Sequence, residues 1–208
     1  MLRAAFFALV AAVTLQGCGA DTTWAPDDVV ARARYVHDGP PEIALVTVIS
    51  NRSGEGAHSA LIINASERVI FDPAGTFRHP WAPIQGDVHF GITPQLEASY
   101  IGYHTRVTYR TIVHRVQVSP EVAERALQLV KANGAVPKSF CADSISALLK
   151  QVPGFEGVSR SFFPKSLMES FVAVTGAQGR TYQSDDPDNN KAKLRELDML
   201  AGAPKPAG

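Results

Sequence analysis

The stretch GAHSALIINASERVIFDPAG, residues 56–75, decides how this chain folds. "AHSALIIN" (57–64) and "RVIFDP" (68–73) are strand-length runs rich in branched and aromatic residues, joined across the polar triplet "ASE". That is the pattern of an antiparallel hairpin. The first run is apolar except near its start, where His58 stands and needs a partner. Strand alternation puts His58 with Ala60 and Ile62 on one face. Closure on Asn64-Ala65-Ser66 pairs Ile63 with Glu67 and sets Asp72 opposite His58, where a carboxylate reaches the imidazole. A two- or four-residue loop would turn Asp72 to the other face, so the register decides whether the pair exists.

On either side of the hairpin, "EIALVTVIS" (42–50) reads as a buried strand that turns at "NRSGEG", and "TRVTYRTIVHRVQV" (105–118) as a long strand that bends along its length. Residues 74–95 between them are punctuated by Pro and Gly and read as an irregular connection. "SPEVAERALQLVKANG" (119–134) is a helix: Ser119 caps it, Pro120 fits its first turn, Glu121 and Glu124 suit its positive end, and Asn133-Gly134 stops it. Val122, Ala126, Leu129 and Val130 form its apolar stripe. A second helix is expected from Ser139 and a third from Pro164 to Val174. The fold class is α+β, a small antiparallel sheet packed with helices. The domain is expected at 42–175, between a tether (19–41) and a polar C-terminal tail (176–208).

The second helix carries Cys141, in "VPKSFCADSISALLK" (136–150). Cys141, Ile145 and Leu148 share a stripe, with Ala142 and Leu149 beside it, so the sulfur faces the sheet. With Ser139 as cap, Cys141 lies in the first turn, where free amides and the helix dipole favour a thiolate. A thiolate nucleophile needs an imidazole oriented by a third polar group. His58 and Asp72 are the candidates, and His89 is the alternative imidazole. From the residues alone, a catalytic Cys141–His58–Asp72 triad and a core cysteine beside a half-buried histidine both fit.

The remaining histidines, His79, His104 and His114 among them, lack metal-ligand spacing, so no zinc site is expected, nor any cofactor. Trp81 reads as a core plug, and Asp143 as an acid placed for the helix dipole.

The 208 residues suit one domain, and 20 basic against 20 acidic residues give no basic patch for nucleic acid. At the N-terminus, Arg3 and the apolar run Ala4 to Leu15 read as a secretory signal, too short to span a bilayer. Leu15-Gln16-Gly17-Cys18 resembles a bacterial lipobox, which implies cleavage before Cys18 and lipid on its sulfur. Residues 1–18 are then a lipoprotein signal with its lipobox, and the chain is expected in the bacterial cell envelope, anchored through lipid on Cys18 and facing the periplasm, with the outer membrane mildly favoured by Gly19. Cys141 would be its sole free thiol.

The order "GAHSALIIN…VIFDPAG", "SPEVAERALQLV", "FCADSISALL…FFPKSLMESF" resembles the circularly permuted branch of the NlpC-like papain superfamily. That branch includes cell-wall peptidases, amidases and relatives of lecithin–retinol acyltransferase. The matching positions are His58, Asp72 and Cys141, and the likeness covers residues 42–174. It implies a permuted papain-like architecture and a cysteine hydrolase acting on an amide, with peptidoglycan or another envelope peptide as substrate, or on an ester. A lipid acyltransferase or a non-catalytic binding domain would share the fold. Phe140 stands where many relatives have Asn or Ser.

The lipobox makes a direct prediction. A palmitate analogue fed to the native host labels the wild-type chain and leaves Cys18→Ser unlabelled; equal labelling of both excludes the anchor.

Overall fold

A computed structural model describes residues 19–189 and Ala192. The expected signal and Cys18, and the end of the C-terminal tail, lie outside the described residues. The elements are α1 (Asp27–Ala33), β1 (Glu42–Ser50), β2 (Gly56–Asn64), β3 (Arg68–Phe71), β4 (Ile84–Gln85), β5 (Val88–His89), α2 (Pro94–His104), β6 (Tyr109–Gln117), α3 (Pro120–Asn133), α4 (Cys141–Leu149), α5 (Pro164–Thr175) and β7 (Gly179–Tyr182). All seven strands join one antiparallel sheet in the order β4-β5-β3-β2-β1-β6-β7. The expected α+β class holds, with a larger sheet than the hairpin and its neighbours suggested.

The central strands are apolar at nearly every position because both faces are covered. Ile43, Leu45, Leu61, Ile63, Val69 and Phe71 face one core, filled by Ala126, Leu127 and Val130 of α3, Ile145 and Leu148 of α4, and Leu167 and Phe171 of α5. Ala44, Val46, Ala60, Ile62 and Ile70 face the other, filled by Phe77, Ile92 and, from α2, Leu96, Tyr100, Ile101 and Tyr103. Each fully buried large apolar side chain contributes on the order of 1.5–3 kcal/mol. The α3 stripe is rotated from the expected one: Ala123, Ala126, Leu127 and Val130 are buried, while Val122 and Leu129 lie at its border. Its ends follow the sequence, with Ser119 accepting from the Val122 amide and Gly134 at φ 72° ending it.

Several segments differ from their sequence reading. Residues 74–95 are not wholly irregular, since β4 and β5 form a short hairpin within them and α2 begins at Pro94. Thr93 caps α2 by accepting from the Leu96 amide. β6 starts only at Tyr109, because Thr105–Thr108 turn the chain out of α2. The strand β7 comes from the segment read as a polar tail; its four residues are mostly exposed, so they carry no apolar alternation. The expected tether is bonded along the sheet edge: the Ala25 amide donates to Ile84 at 2.7 Å, and the Arg68 amide donates to Tyr35 at 2.9 Å. Among the described residues no helix is long and apolar enough to cross a membrane.

One buried carboxylate fixes α2 on the sheet. Glu97 pairs with Arg68 of β3 and Arg115 of β6, which lie on opposite sides of the two central strands, and Arg115 also pairs with Glu42 at 2.5 Å. Glu97, Tyr100 and His104 fall at i, i+3 and i+7, so the clamp that seats Glu97 also turns Tyr100 and His104 towards the sheet. Removing one partner of a buried ion pair leaves the others uncompensated. Glu97→Ala is therefore expected to lower stability by about 3–5 kcal/mol in urea denaturation, and Glu42→Ala by clearly less. Equal effects would contradict the clamp.

Candidate active site

β2 delivers His58 and the chain leaving β3 delivers Asp72. Their register differs from the expected one: Asn64 pairs with Arg68, Ile63 with Val69, and Leu61 with Phe71, so the loop is Ala65-Ser66-Glu67. Continued one step, this pairing sets Asp72 beside Ala60, one pleat from His58. The shift is two residues, which preserves the face. His58 Nε2 and Asp72 Oδ1 lie 2.6 Å apart. The Asp72 side chain has no exposed surface and the His58 side chain is 15% exposed.

The loop after Asp72 is built for this carboxylate. The Gly75 amide donates to the Asp72 carbonyl at 2.9 Å. A Cβ on Gly75 would stand 1.8 Å from Asp72 Oδ2, so only glycine admits the side chain there. Ala74 occupies the left-handed region at φ 58°, a conformation that a non-glycine residue keeps only when its surroundings impose it. Asp87 supplies part of that constraint. Its carbonyl accepts from the Asp72 amide at 2.8 Å, and its Oδ2 accepts from the amides of Ala74 at 2.9 Å and Val136 at 2.8 Å. Asp87 thus ties the Asp72 loop to the segment that leads into Cys141. Burial pushes its carboxyl above the ordinary value, against the pull of the two amides.

α4 starts at Cys141, not at Ser139. Ser139 makes no cap bond; it lies at φ 72°, and Phe140 is the residue before the helix. Cys141 is therefore the first helical residue, still inside the first turn, and only 6% exposed. The predicted stripe holds: Cys141, Ala142, Ile145, Leu148 and Leu149 are all buried. Asp143 does more than favour the dipole, since both its oxygens accept from Arg160, at 2.7 and 2.9 Å.

Cys141, His58 and Asp72 are brought together, and their titration reflects it. Burial alone would push the Cys141 thiol up, but the hydrogen bond and charge of His58, then the amides of Ser59 and Ala142, bring it below its ordinary value. Burial alone would likewise lower His58; the Asp72 carboxylate, followed by Cys141, outweighs it and raises the ring from 6.5 to about 10. For Asp72, burial is overcome by His58, then His104 and His89, which hold the carboxyl well below the usual range. With Nε2 engaged by Asp72, Nδ1 is the nitrogen left for the thiol.

Four supporting residues had no place at the site in the sequence reading, which took His104 only as a histidine without metal-ligand spacing. The Tyr100 hydroxyl donates to Asp72 Oδ1 at 2.6 Å; burial and then the Asp72 charge raise its pKa well above 10, so it stays a donor. His104 stacks on His58, with centroids 5.5 Å apart and planes at 12°, and burial lowers it to about 4. Asp87 and Gly75 complete the set. The Thr93-Pro94 start and the spacing of Leu96, Tyr100, Ile101 and His104 are the sequence signals that mark α2. His89, the alternative imidazole, is buried and lowered to about 4, with Nε2 3.7 Å from Asp72 Oδ2, and does not replace His58. His79 instead accepts from the Trp81 amide at 3.1 Å, and Trp81 packs on the core border as a plug. His114 lies under β7.

No family model, curated protein or solved structure matches the chain.

Asp72→Asn is expected to drop the His58 pKa by about two units or more from its value near 10, read by NMR titration of the ring. The stability effect has a defined pH window. A raised His58 stabilises fully below 6.5 and less as pH climbs through about 10; a lowered Asp72 stabilises fully above 3.8 and less as pH falls through its own pKa. The wild-type advantage over Asp72→Asn is therefore greatest between 3.8 and 6.5 and shrinks towards pH 10.

Proposed function

We propose that the chain is a cysteine hydrolase in which Cys141 is the nucleophile, His58 the proton carrier and Asp72 the residue that orients the ring. The observation that carries this reading is geometric: Cys141 opens α4 beside His58, whose far nitrogen is held at 2.6 Å by a fully buried carboxylate, and the lowered thiol agrees with it. A core cysteine needs no such arrangement. The order of histidine strand, acidic residue after the next strand, and later cysteine helix supports a permuted papain-like architecture.

In the proposed cycle the Cys141 sulfur attacks an amide or ester carbonyl carbon, and the carbonyl electron pair moves onto oxygen. The first-turn backbone amide of Cys141 has no intrahelical acceptor and is free to receive that oxyanion. Collapse of the tetrahedral species breaks the bond to the leaving group, which takes the proton held at His58 Nδ1. Water then attacks the thioester, giving its proton to His58 and the acyl group to solution. Asp72, with Tyr100 on the same oxygen, keeps the ring in one orientation through both halves.

With the expected lipid anchor at Cys18 in a bacterial envelope, peptidoglycan stem peptides are the nearest amide polymer. One observation favours a second reading, a lipid ester or acyl group as substrate. Phe140, Phe162 and Phe163 are 42%, 55% and 71% exposed, and Phe140 and Phe162 meet edge to face at 5.6 Å beside the nucleophile. This aromatic lip would accept an acyl chain.

Iodoacetamide should alkylate Cys141 at pH 6, and His58→Ala should slow this on the order of tenfold for each unit by which the thiol pKa rises. Alkylation that starts only above pH 8, or that ignores His58, contradicts the reading. Cleavage of muropeptides against long-chain aryl esters, with Cys141→Ser as the inactive control, separates the two substrate classes.

A further inference from the structure

We propose that His58, Asp72 and His104 form a binding site for a divalent transition-metal ion of the zinc class, and that the bound ion takes the imidazole nitrogen that Asp72 otherwise holds. One donor atom from each of the three lies within 4.8 Å of the others. Tetrahedral zinc, with bonds of about 2.0–2.1 Å, places its donors about 3.3 Å apart. Side-chain rotations must bring the widest pair together by up to about 1.5 Å and open the 2.6 Å His58–Asp72 pair by about 0.7 Å. The residues come from β2, the end of β3 and α2, so no local spacing announces them.

The donor set selects the ion. Two imidazoles and one carboxylate suit zinc, cobalt or nickel, whereas calcium and magnesium prefer all-oxygen shells. His104 is already set as a ligand. Its Nδ1 lies 2.9 Å from the Tyr100 carbonyl, which can only accept, so the proton is at Nδ1 and the Nε2 lone pair is free to ligate. Asp72 provides the third donor, with Oδ1 at His58 and Oδ2 turned towards His89 Nε2 at 3.7 Å. Its carboxylate is completely buried, and Oδ2 has no hydrogen-bond partner among the described residues. Tyr100 bonds that carboxylate, and Gly75 leaves the room it occupies. His58 and His104 are both partly exposed, which gives an ion a way in.

Binding exchanges a proton for the metal. The proton shared by His58 Nε2 and Asp72 Oδ1 leaves to solvent, and the ion occupies the Nε2 lone pair. A neutral ring with metal on Nε2 is a weaker acid at Nδ1 than the imidazolium, so it gives that proton less readily to the leaving group, and occupancy suppresses turnover. The site itself does not require the hydrolase reading: a chain that binds the ion here and hydrolyses nothing keeps this inference and loses that one.

Cobalt(II) titration of the full chain, followed by calorimetry and visible absorption, tests the site. The wild type and Cys141→Ser are each expected to bind one ion, with ligand-field bands and no sulfur-to-cobalt charge transfer. His104→Gln, checked for folding by circular dichroism, should bind at least tenfold more weakly. Absence of binding to the wild type overturns the proposal. So does unchanged affinity in folded His104→Gln, or a sulfur-to-cobalt band that disappears in Cys141→Ser, which would place the ion on the thiolate. Should His104→Gln fail to fold, the wild type and Cys141→Ser alone still decide: equal binding without a sulfur band sustains the site, and loss in Cys141→Ser removes it.

Discussion

A carboxylate with no surface in water must find its stabilisation inside the protein, and Asp72 finds it in one oxygen. Asp72 Oδ1 is shared by His58 Nε2 and the Tyr100 hydroxyl, each at 2.6 Å. Leaving that charge unpaired would cost several kcal/mol, so the ring is drawn into its charged form. His89 and His104 stand nearby but are lowered to about 4 by burial, so His58 is the histidine that meets the need. An imidazolium fixed in that way favours a thiolate at Cys141. The chemistry of the site begins with the burial of Asp72.

The scaffold is arranged around that burial. Gly75 leaves room for the carboxylate, and Asp87 bonds the loop that carries it to the segment before α4. The non-glycine residues with positive φ among those described are Ala74 and Ser139, each two positions from a site residue. Such backbone is kept only where neighbouring bonds over-determine it. On the other face, the Glu97 clamp orients α2, and the same helix face brings Tyr100 and His104 to Asp72. Mobility in any of these elements would be felt at the imidazole.

Much of this was legible in the sequence because strands and helices have short periods. The expected hairpin register was off by two residues, yet His58 and Asp72 still share a face, since strand facing repeats every two. The cysteine stripe on α4 was correct although its cap was misplaced: Ser139 resembles an N-cap by residue type but adopts a left-handed turn. What the sequence could not display was long-range. Tyr100, His104 and Asp87 act through contacts with distant segments, and α2 and β7 lack the plain apolar alternation that marks the central strands.

The proposed chemistry turns on His58 drawing the Cys141 thiol towards its thiolate, below the pH at which an ordinary thiol ionises. The ultraviolet absorbance of the thiolate, recorded against pH as the difference between wild type and Cys141→Ser, reads that state without any substrate. Thiolate absorbance is expected to rise at lower pH than that of an ordinary thiol and to move to higher pH in Asp72→Asn. A wild-type signal that first rises above pH 8, unaffected by Asp72→Asn, would contradict it.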